Sequence, residues 1–322
     1  MHVELAVPGL LSARPPGRFP AIETLLARGR RESQAAMSLE NWLREALQIE
    51  APALPAVALT ALAACREPGE ASYLRADPVH LRVMRDHLAM LPAEGFDISG
   101  EEAAALIDAL NRHFANRIEF SSTDARRWCA CTAQALTVAG DSALESAGRE
   151  LAAARENGPL LTEIQMLLHA HPVNAAREAR GEPPVNSLWL WGAGRAAGAT
   201  SRWTAVLSDE PVALGLARLA HASGAPLPEI AFEWLERAPE DGRFLVVLDA
   251  LRAPAALADP DALQKNLHRL EAAWFAPLLA ALRTGRVGML TVHAPDGAAS
   301  YETARGDLRR FWRRLRPLES LV

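Results

Sequence analysis

Short, strongly apolar runs rich in Val, Leu and Ile alternate along this chain with longer stretches of helical periodicity, and that alternation allows few folds other than a mostly parallel sheet flanked by helices. Two of the runs, "FLVVLDA" (244–250) and "VGMLTVHA" (287–294), are apolar almost throughout. A strand of that kind must be covered on both faces, which places both in the middle of a sheet. Further strands are expected at 3–10, 72–81, 135–140, 185–192 and 204–209. Between them, apolar residues spaced three and four apart predict helices with one buried stripe: Ile22, Leu25 and Leu26; Leu106, Ile107, Leu110 and Phe114; and Leu267, Leu270, Trp274, Leu278 and Leu282. Ser99 followed by Glu102 reads as a capping box opening the second of these. The stretch 140–158, rich in Ala, Glu and Arg, reads either as a surface helix or as part of an inserted cap. The expectation is one α/β domain over 1–322, with a small insertion within about 92–160.

Half of the 322 residues are hydrophobic and 23% are charged, enough apolar material for a sizeable core. The net charge of −5 supplies no overall field that would draw the chain to nucleic acid or an anionic membrane. No run approaches the roughly 20 apolar residues of a membrane span, and Glu4 within the first apolar run argues against a secretory leader. Cys65, Cys129 and Cys131 form neither a disulfide framework nor a zinc set, so they read as reduced thiols of a cytoplasmic protein.

Chemistry-bearing residues concentrate in "HPVNAAREARGEPPVNSLWLWGAGR" (171–195). A helix broken at Pro172, with Asn174 as the expected cap of the next, leads through Gly181 and two prolines into a strand that ends Trp191-Gly192-x-Gly194-Arg195. Two glycines and an arginine at a strand tip can form a nest of N–H groups for a phosphate or carboxylate, or simply a sharp turn. Trp189 and Trp191 alternate with Leu188 and Leu190, so tryptophan lines one strand face and leucine the other. His169 and His171 could pair on a metal, but His171 also fits the hydrogen-bonded end of a helix.

This segment resembles the "HPVN…R…G…PAN.IW.WG.G" stretch of the archaeal type of cofactor-independent phosphoglycerate mutase, a branch of the alkaline phosphatase superfamily. "ADPVHL" (76–81) and "EEAAALIDALNRHF" (101–114) are similar to stretches of the proteobacterial relatives labelled regulatory proteins of the pathogenicity-factor E type. The resemblance is dense over about half of the chain and elsewhere rests on strand order. It implies an alkaline-phosphatase-like α/β core with a smaller subdomain, and phosphoryl transfer through a Ser or Thr nucleophile beside two divalent metals held by Asp and His at strand tips.

Against that pattern the chain departs at three places. Pro8 stands where the family's first strand delivers a metal-binding aspartate, and proline ligates nothing. The family's late Asp-His pair is replaced by His293-Ala-Pro-Asp296. The nucleophile region, 73–86, holds Asp77 and His80 but no hydroxyl beyond Tyr73. The expectation is therefore a degenerate relative lacking the two-metal site and any cofactor, binding an anionic small molecule or a protein partner in a regulatory role through Asn174, Arg177, Asn186, Trp191, Gly192, Gly194 and Arg195. The alternative is an active mutase or phosphatase using Mn or Zn, with Asp77 and His80 as catalytic candidates and Asp209, Asp249, His293 and Asp296 as metal candidates.

At the C-terminal end, Leu308, Phe311, Trp312 and Leu315 fall on one helical stripe and Arg309, Arg310, Arg313, Arg314 and Arg316 on the other. That pattern predicts a terminal helix, either docked by its aromatic stripe with a solvated arginine face or contacting a partner or nucleic acid.

Overall fold

The computed structural model describes residues 1–12, 16–49, 55–63, 72–85, 88–133, 136, 138, 141–147, 158–194 and 199–320. The chain divides into two compact units, Met1–Ile49 with Gly198–Val322, and Glu50–Ala197. The range expected to hold an insertion, 92–160, lies inside the second unit, whose bounds are wider on both sides.

The first unit opens with β1 (His2–Ala6), α1 (Pro20–Arg28), β2 (Arg30–Ser33) and α2 (Leu39–Ala46). The second contains α3 (Ala56–Ala63), β3 (Ser72–Val83), β4 (Leu88–Pro92), α4 (Gly100–His113), β5 (Ile118–Asp124), β6 (Arg127–Thr132), α5 (Ala143–Ser146), α6 (Gly158–His169), α7 (Pro172–Ala179) and β7 (Ser187–Trp191). The first then resumes with β8 (Ala205–Ser208), α8 (Pro211–Leu219), β9 (Ser223–Ala225), α9 (Ala231–Arg237), β10 (Arg243–Val247), α10 (Arg252–Ala256), α11 (Pro260–Leu270), α12 (Ala276–Thr284), β11 (Met289–Ala294) and β12 (Ala299–Ala304).

The first unit's sheet has the order β2-β12-β11-β1-β10-β8-β9. Strands β11, β1, β10, β8 and β9 run parallel; β12 alone is reversed, and β2, paired antiparallel with β12, runs in the direction of the parallel strands. The two apolar runs flank β1 in the middle, as double coverage requires. One face of β1 presents Val3, Leu5 and Val7 to a core that includes Ile22, Leu25, Leu267, Trp274, Leu278 and Leu282. A π-turn, Glu271–Phe275, joins α11 to α12. Its Glu271 carboxylate accepts from the N–H groups of Ala21 (2.6 Å) and Ile22 (3.1 Å). Helix α1 has Phe19 before its first turn and no side-chain cap of its own, so an acid 250 residues away satisfies its free N–H groups.

The second unit corrects the expectation of a single sheet. β3 and β7, foreseen as members of the parallel sheet, belong to a separate antiparallel sheet of order β4-β3-β6-β5, with β7 on β3. Both strands alternate: Leu74, Ala76, Leu188 and Leu190 enter this unit's core, which also takes Leu106, Ile107, Leu110 and Phe114 of the α4 stripe. One-sided alternation is the pattern of an antiparallel sheet with a single buried face. The capping box forms, Glu102 N–H to Ser99 Oγ at 3.1 Å and Ser99 N–H to Glu102 Oε2 at 3.0 Å. Most of the strand expected at 135–140, much of 140–158, Cys65 and Arg195 lie outside the described residues. Cys129 and Cys131 are unpaired, and burial pushes the Cys129 thiol up to about 11. Among the described residues no helix is long and apolar enough to cross a membrane.

The C-terminal expectation is overturned. Arg305–Arg309 form a short 3-10 turn, and among the described residues no α-helix follows, only a second 3-10 turn at Leu318–Ser320. The guanidinium of Arg310 donates to the Arg28 carbonyl (3.2 Å), and that of Arg313 to the carbonyls of Arg28 (3.4 Å) and Gly29 (2.7 Å). These side chains are drawn to the carbonyl end of α1, where cations are favoured, and the aromatic stripe is left outside: Phe311 is 81% and Trp312 66% exposed.

Candidate functional site

Ligands of parallel α/β sheets bind beyond the carboxyl ends of the strands, so the loops after β1 and β11 are the first place to look. The chain leaves β1 through Val7-Pro8-Gly9. Gly9 has φ +87°, and a Cβ there would sit 2.7 Å from the Leu251 carbonyl oxygen, so only glycine fits. Asp296, in the loop after β11, accepts with Oδ2 from Gly9 N–H (2.9 Å) and from the Ser12 hydroxyl. Asp296 thus ties the two loops together. Its Oδ1 is buried without a hydrogen-bond partner among the described residues.

His293, at the end of β11, is turned to the sheet face opposite the main core. Its Nε2 lies 3.1 Å from Glu4 Oε2, and its ring packs 4.9 Å from that of Trp42 of α2. Glu4, fully buried in mid-strand, also accepts from Arg202 (2.7 Å) and Arg243 (3.0 Å), which reach it from the N-terminal edge of β8 and β10. Burial pushes the Glu4 carboxyl up, but the hydrogen bonds from His293 and Arg202 outweigh it and hold the group well below the usual carboxylate range. With Glu4 ionised, His293 Nε2 is the donor, which leaves its buried Nδ1 without a partner among the described residues. On the same face His2 Nε2 bonds Thr291 Oγ1 at 3.0 Å, and burial lowers the His2 pKa.

The remaining metal candidates make other contacts. Asp209 caps a turn through Leu227 N–H at 3.0 Å, and Asp249, at the end of β10, accepts with its carbonyl from Arg252 N–H at 2.9 Å. Asp77 and His80 belong to the second unit. The buried Asp77 carboxylate accepts from Arg75 Nε (3.0 Å) and from Trp191 Nε1 (2.6 Å), and His80 Nδ1 is 2.9 Å from the Pro184 carbonyl. Among the described residues, no three His, Cys, Asp or Glu side chains converge where a metal could sit. The orphaned Asp296 Oδ1 and His293 Nδ1 offer two donors, one short of the three protein ligands of a catalytic zinc site. Among the described residues, the side chains present do not assemble the two-metal centre that the resemblance implies.

In the second unit the ligand candidates are engaged within the chain. Asn174 donates to the Leu168 and Val185 carbonyls and accepts from Val185 N–H, at 2.7–2.8 Å. Asn186 closes a two-way bridge to the backbone of Leu81 (2.7 and 2.8 Å). Arg177 is 1% exposed; it donates to the Pro183 carbonyl (2.9 Å), Glu102 Oε2 (2.7 Å) and the Asp97 carbonyl (2.6 Å), beneath the Phe96 ring. Gly192, at φ +61°, presents its carbonyl to Ala56 N–H (3.1 Å), and Gly194, at φ +141°, faces Pro55. The cap of α7 is His171, whose Nδ1 accepts from Val173 N–H at 3.2 Å, and not Asn174, because Pro172 takes the first helical position and starts the helix three residues earlier.

Sequence reasoning passed over Glu4, Ser12, Arg202, Arg243 and Trp42. Only Glu4 carried a usable signal, a carboxylate inside a run that must be buried on both faces.

No family model and no curated protein matches the chain. Among solved structures it is similar to the PH0037 protein of Pyrococcus horikoshii, with TM-score 0.52 and 12% identity over 94% of this chain and 87% of that one. It is also similar to a cofactor-independent phosphoglycerate mutase from Thermoplasma acidophilum, with TM-score 0.46 and 18% identity over 99% and 94%. The likeness to the Pyrococcus protein is one of fold, the α/β architecture with a mostly parallel sheet flanked by helices described above.

Proposed function

We propose that this chain is a phosphoglycerate-mutase-like protein that has lost two-metal phosphoryl transfer and acts by binding an anionic metabolite or a protein partner in a regulatory role. One observation carries the reading: where the resemblance calls for a metal-binding aspartate the chain has Pro8, and the nearby Asp296 spends Oδ2 on Gly9 N–H and the Ser12 hydroxyl. Among the described residues no histidine stands among the hydrogen-bond partners of the Ser12 hydroxyl, so the base that usually activates a serine is not beside it. His293 directs Nε2 to Glu4 instead.

The test is calorimetric titration with Mn²⁺ and Zn²⁺, alongside mutase and phosphatase assays in both metals. The expected result is no tight binding and no turnover above the buffer blank. Two tightly bound ions, or turnover abolished by Asp249→Ala, would overturn the reading. The orphaned atoms of Asp296 and His293 favour the active-enzyme alternative, and the same titration decides between the two.

A further inference from the structure

The strand register separates a second feature from the sheet tip. Ala304, the last residue of β12, pairs with Met289, the first of β11, so the chain beyond 304 emerges at the N-terminal edge of the parallel strands. There Ala27, Trp312, Arg313, Arg314 and Arg316 line a groove of about 460 Å³, within the size range of small-molecule sites. Residues 305–316 contain six arginines and a single acid, Asp307, in a chain of net charge −5. Arg310 is paired with Asp307 (2.7 Å), and Arg313 donates to the end of α1. Arg309, Arg314 and Arg316 have no side-chain partner among the described residues. Beside them the rings of Phe311 and Trp312 meet edge to face at 5.4 Å, both exposed.

Unneutralised guanidiniums and an exposed indole on one groove wall call for a ligand that offers both phosphate oxygens and a flat ring. Guanidinium forks match phosphate oxygens bidentately, and aromatic side chains stack on any base. We infer that this groove binds a nucleotide unit, its phosphate on Arg314 and Arg316 and its base against Trp312, either free or within a single-stranded nucleic acid. A membrane surface fits less well, because interfacial binding segregates apolar and charged side chains to opposite faces of a helix, and this segment is not helical. An acidic peptide would satisfy the arginines and leave the indole without a stacking partner. The site is remote from the sheet tip along the strands, so the inference stands whether or not that tip holds metal.

The experiment is fluorescence anisotropy of the full chain with a labelled oligothymidine of about 12 nucleotides, a length within the usual span of single-strand sites. It is run in EDTA, so that metal binding at the tip cannot affect it, with competition by adenosine monophosphate and by base-free ribose 5-phosphate. We expect Arg314→Glu with Arg316→Glu to weaken binding at least about tenfold and to flatten the salt dependence, since each phosphate contact adds to its slope. Trp312→Ala should weaken it several-fold with the salt slope kept, and Trp312→Phe should recover much of the loss. Far-UV dichroism checks that these exposed replacements fold. Competition by adenosine monophosphate in preference to ribose 5-phosphate identifies the nucleotide unit. If the oligothymidine does not bind but adenosine monophosphate does in calorimetric titration of the same protein, the site is assigned to free nucleotides and the inference stands; binding of neither overturns it. Unchanged affinity in either charge-reversed or Trp312→Ala protein overturns it. Equal binding of polyglutamate, or of phosphatidylserine vesicles, overturns it too.

Discussion

Two regions carry most of this chain's polar chemistry, and they use it in opposite ways. The "HPVN…WGAG" region of the second unit has the more conspicuous sequence, yet the polar groups of Asn174, Arg177 and Asn186 are saturated by backbone carbonyls, backbone N–H groups and Glu102. The sheet of the first unit has an unremarkable sequence, yet it buries an ionised Glu4 beside His293 and leaves Asp296 Oδ1 and His293 Nδ1 without partners among the described residues. A motif that stands out in sequence can mark a staple, whereas unsatisfied polar atoms mark where a structure has capacity to spare.

The contrast can be broken most directly at Arg177. Replacing it with Met leaves Glu102, the Asp97 carbonyl and the Pro183 carbonyl short of a donor in a buried setting, and the cost should be about 3–5 kcal/mol in denaturant unfolding. Stability within about 0.5 kcal/mol of the parent would mean that the motif is not a staple, since only substitutions away from such features are that mild.

Glu4→Gln is the corresponding change in the first unit. Breaking a buried ion pair costs 3–5 kcal/mol, but Arg202 and Arg243 are nearly half exposed, so about 2–3 kcal/mol is expected at pH 7. The pH dependence sharpens the test. Because the folded-state pKa is depressed, the stabilisation is present above the unfolded value near 4.3 and is lost as pH falls below it. Melting temperatures of parent and variant should therefore converge on acidification from about pH 4 downward. A constant difference down to the acid limit would show that Glu4 acts through packing alone.

Smaller effects are expected where the first unit uses distant side chains as helix caps. Glu271→Ala removes the acceptor for two N–H groups of α1 and should cost about 1 kcal/mol. The double change Arg310→Ala and Arg313→Ala, at the other end of the same helix, should cost under about 1 kcal/mol and fade in high salt. Thermal melts at two ionic strengths separate these caps, because the α1 N-terminal acceptor is less exposed to screening than the surface arginines.

What could be read from residues alone follows from local rules. The burial of the Leu106, Ile107 and Leu110 stripe, the Ser99–Glu102 box and the central places of 244–250 and 287–294 each need only spacing and hydrophobicity. β2 and β9 escaped notice because they are short and fully exposed, with no buried face to impose a pattern. The terminal helix failed for a different reason. Its 3.6-residue stripe is genuine, but two of its arginines find carbonyls at the end of α1 that the periodicity cannot reveal.

Residue order alone settles the class of fold and the strands that must be covered on both faces, because these depend on the character of neighbouring residues along the chain. The division into a parallel and an antiparallel sheet, the pairing of Glu4 with His293, the capping of α1 by Glu271 and the exposure of Trp312 beside Arg314 and Arg316 arise only once the chain has folded. Each depends on groups far apart in the chain competing for the same donor, acceptor or buried surface, and such competition has no signature in local spacing.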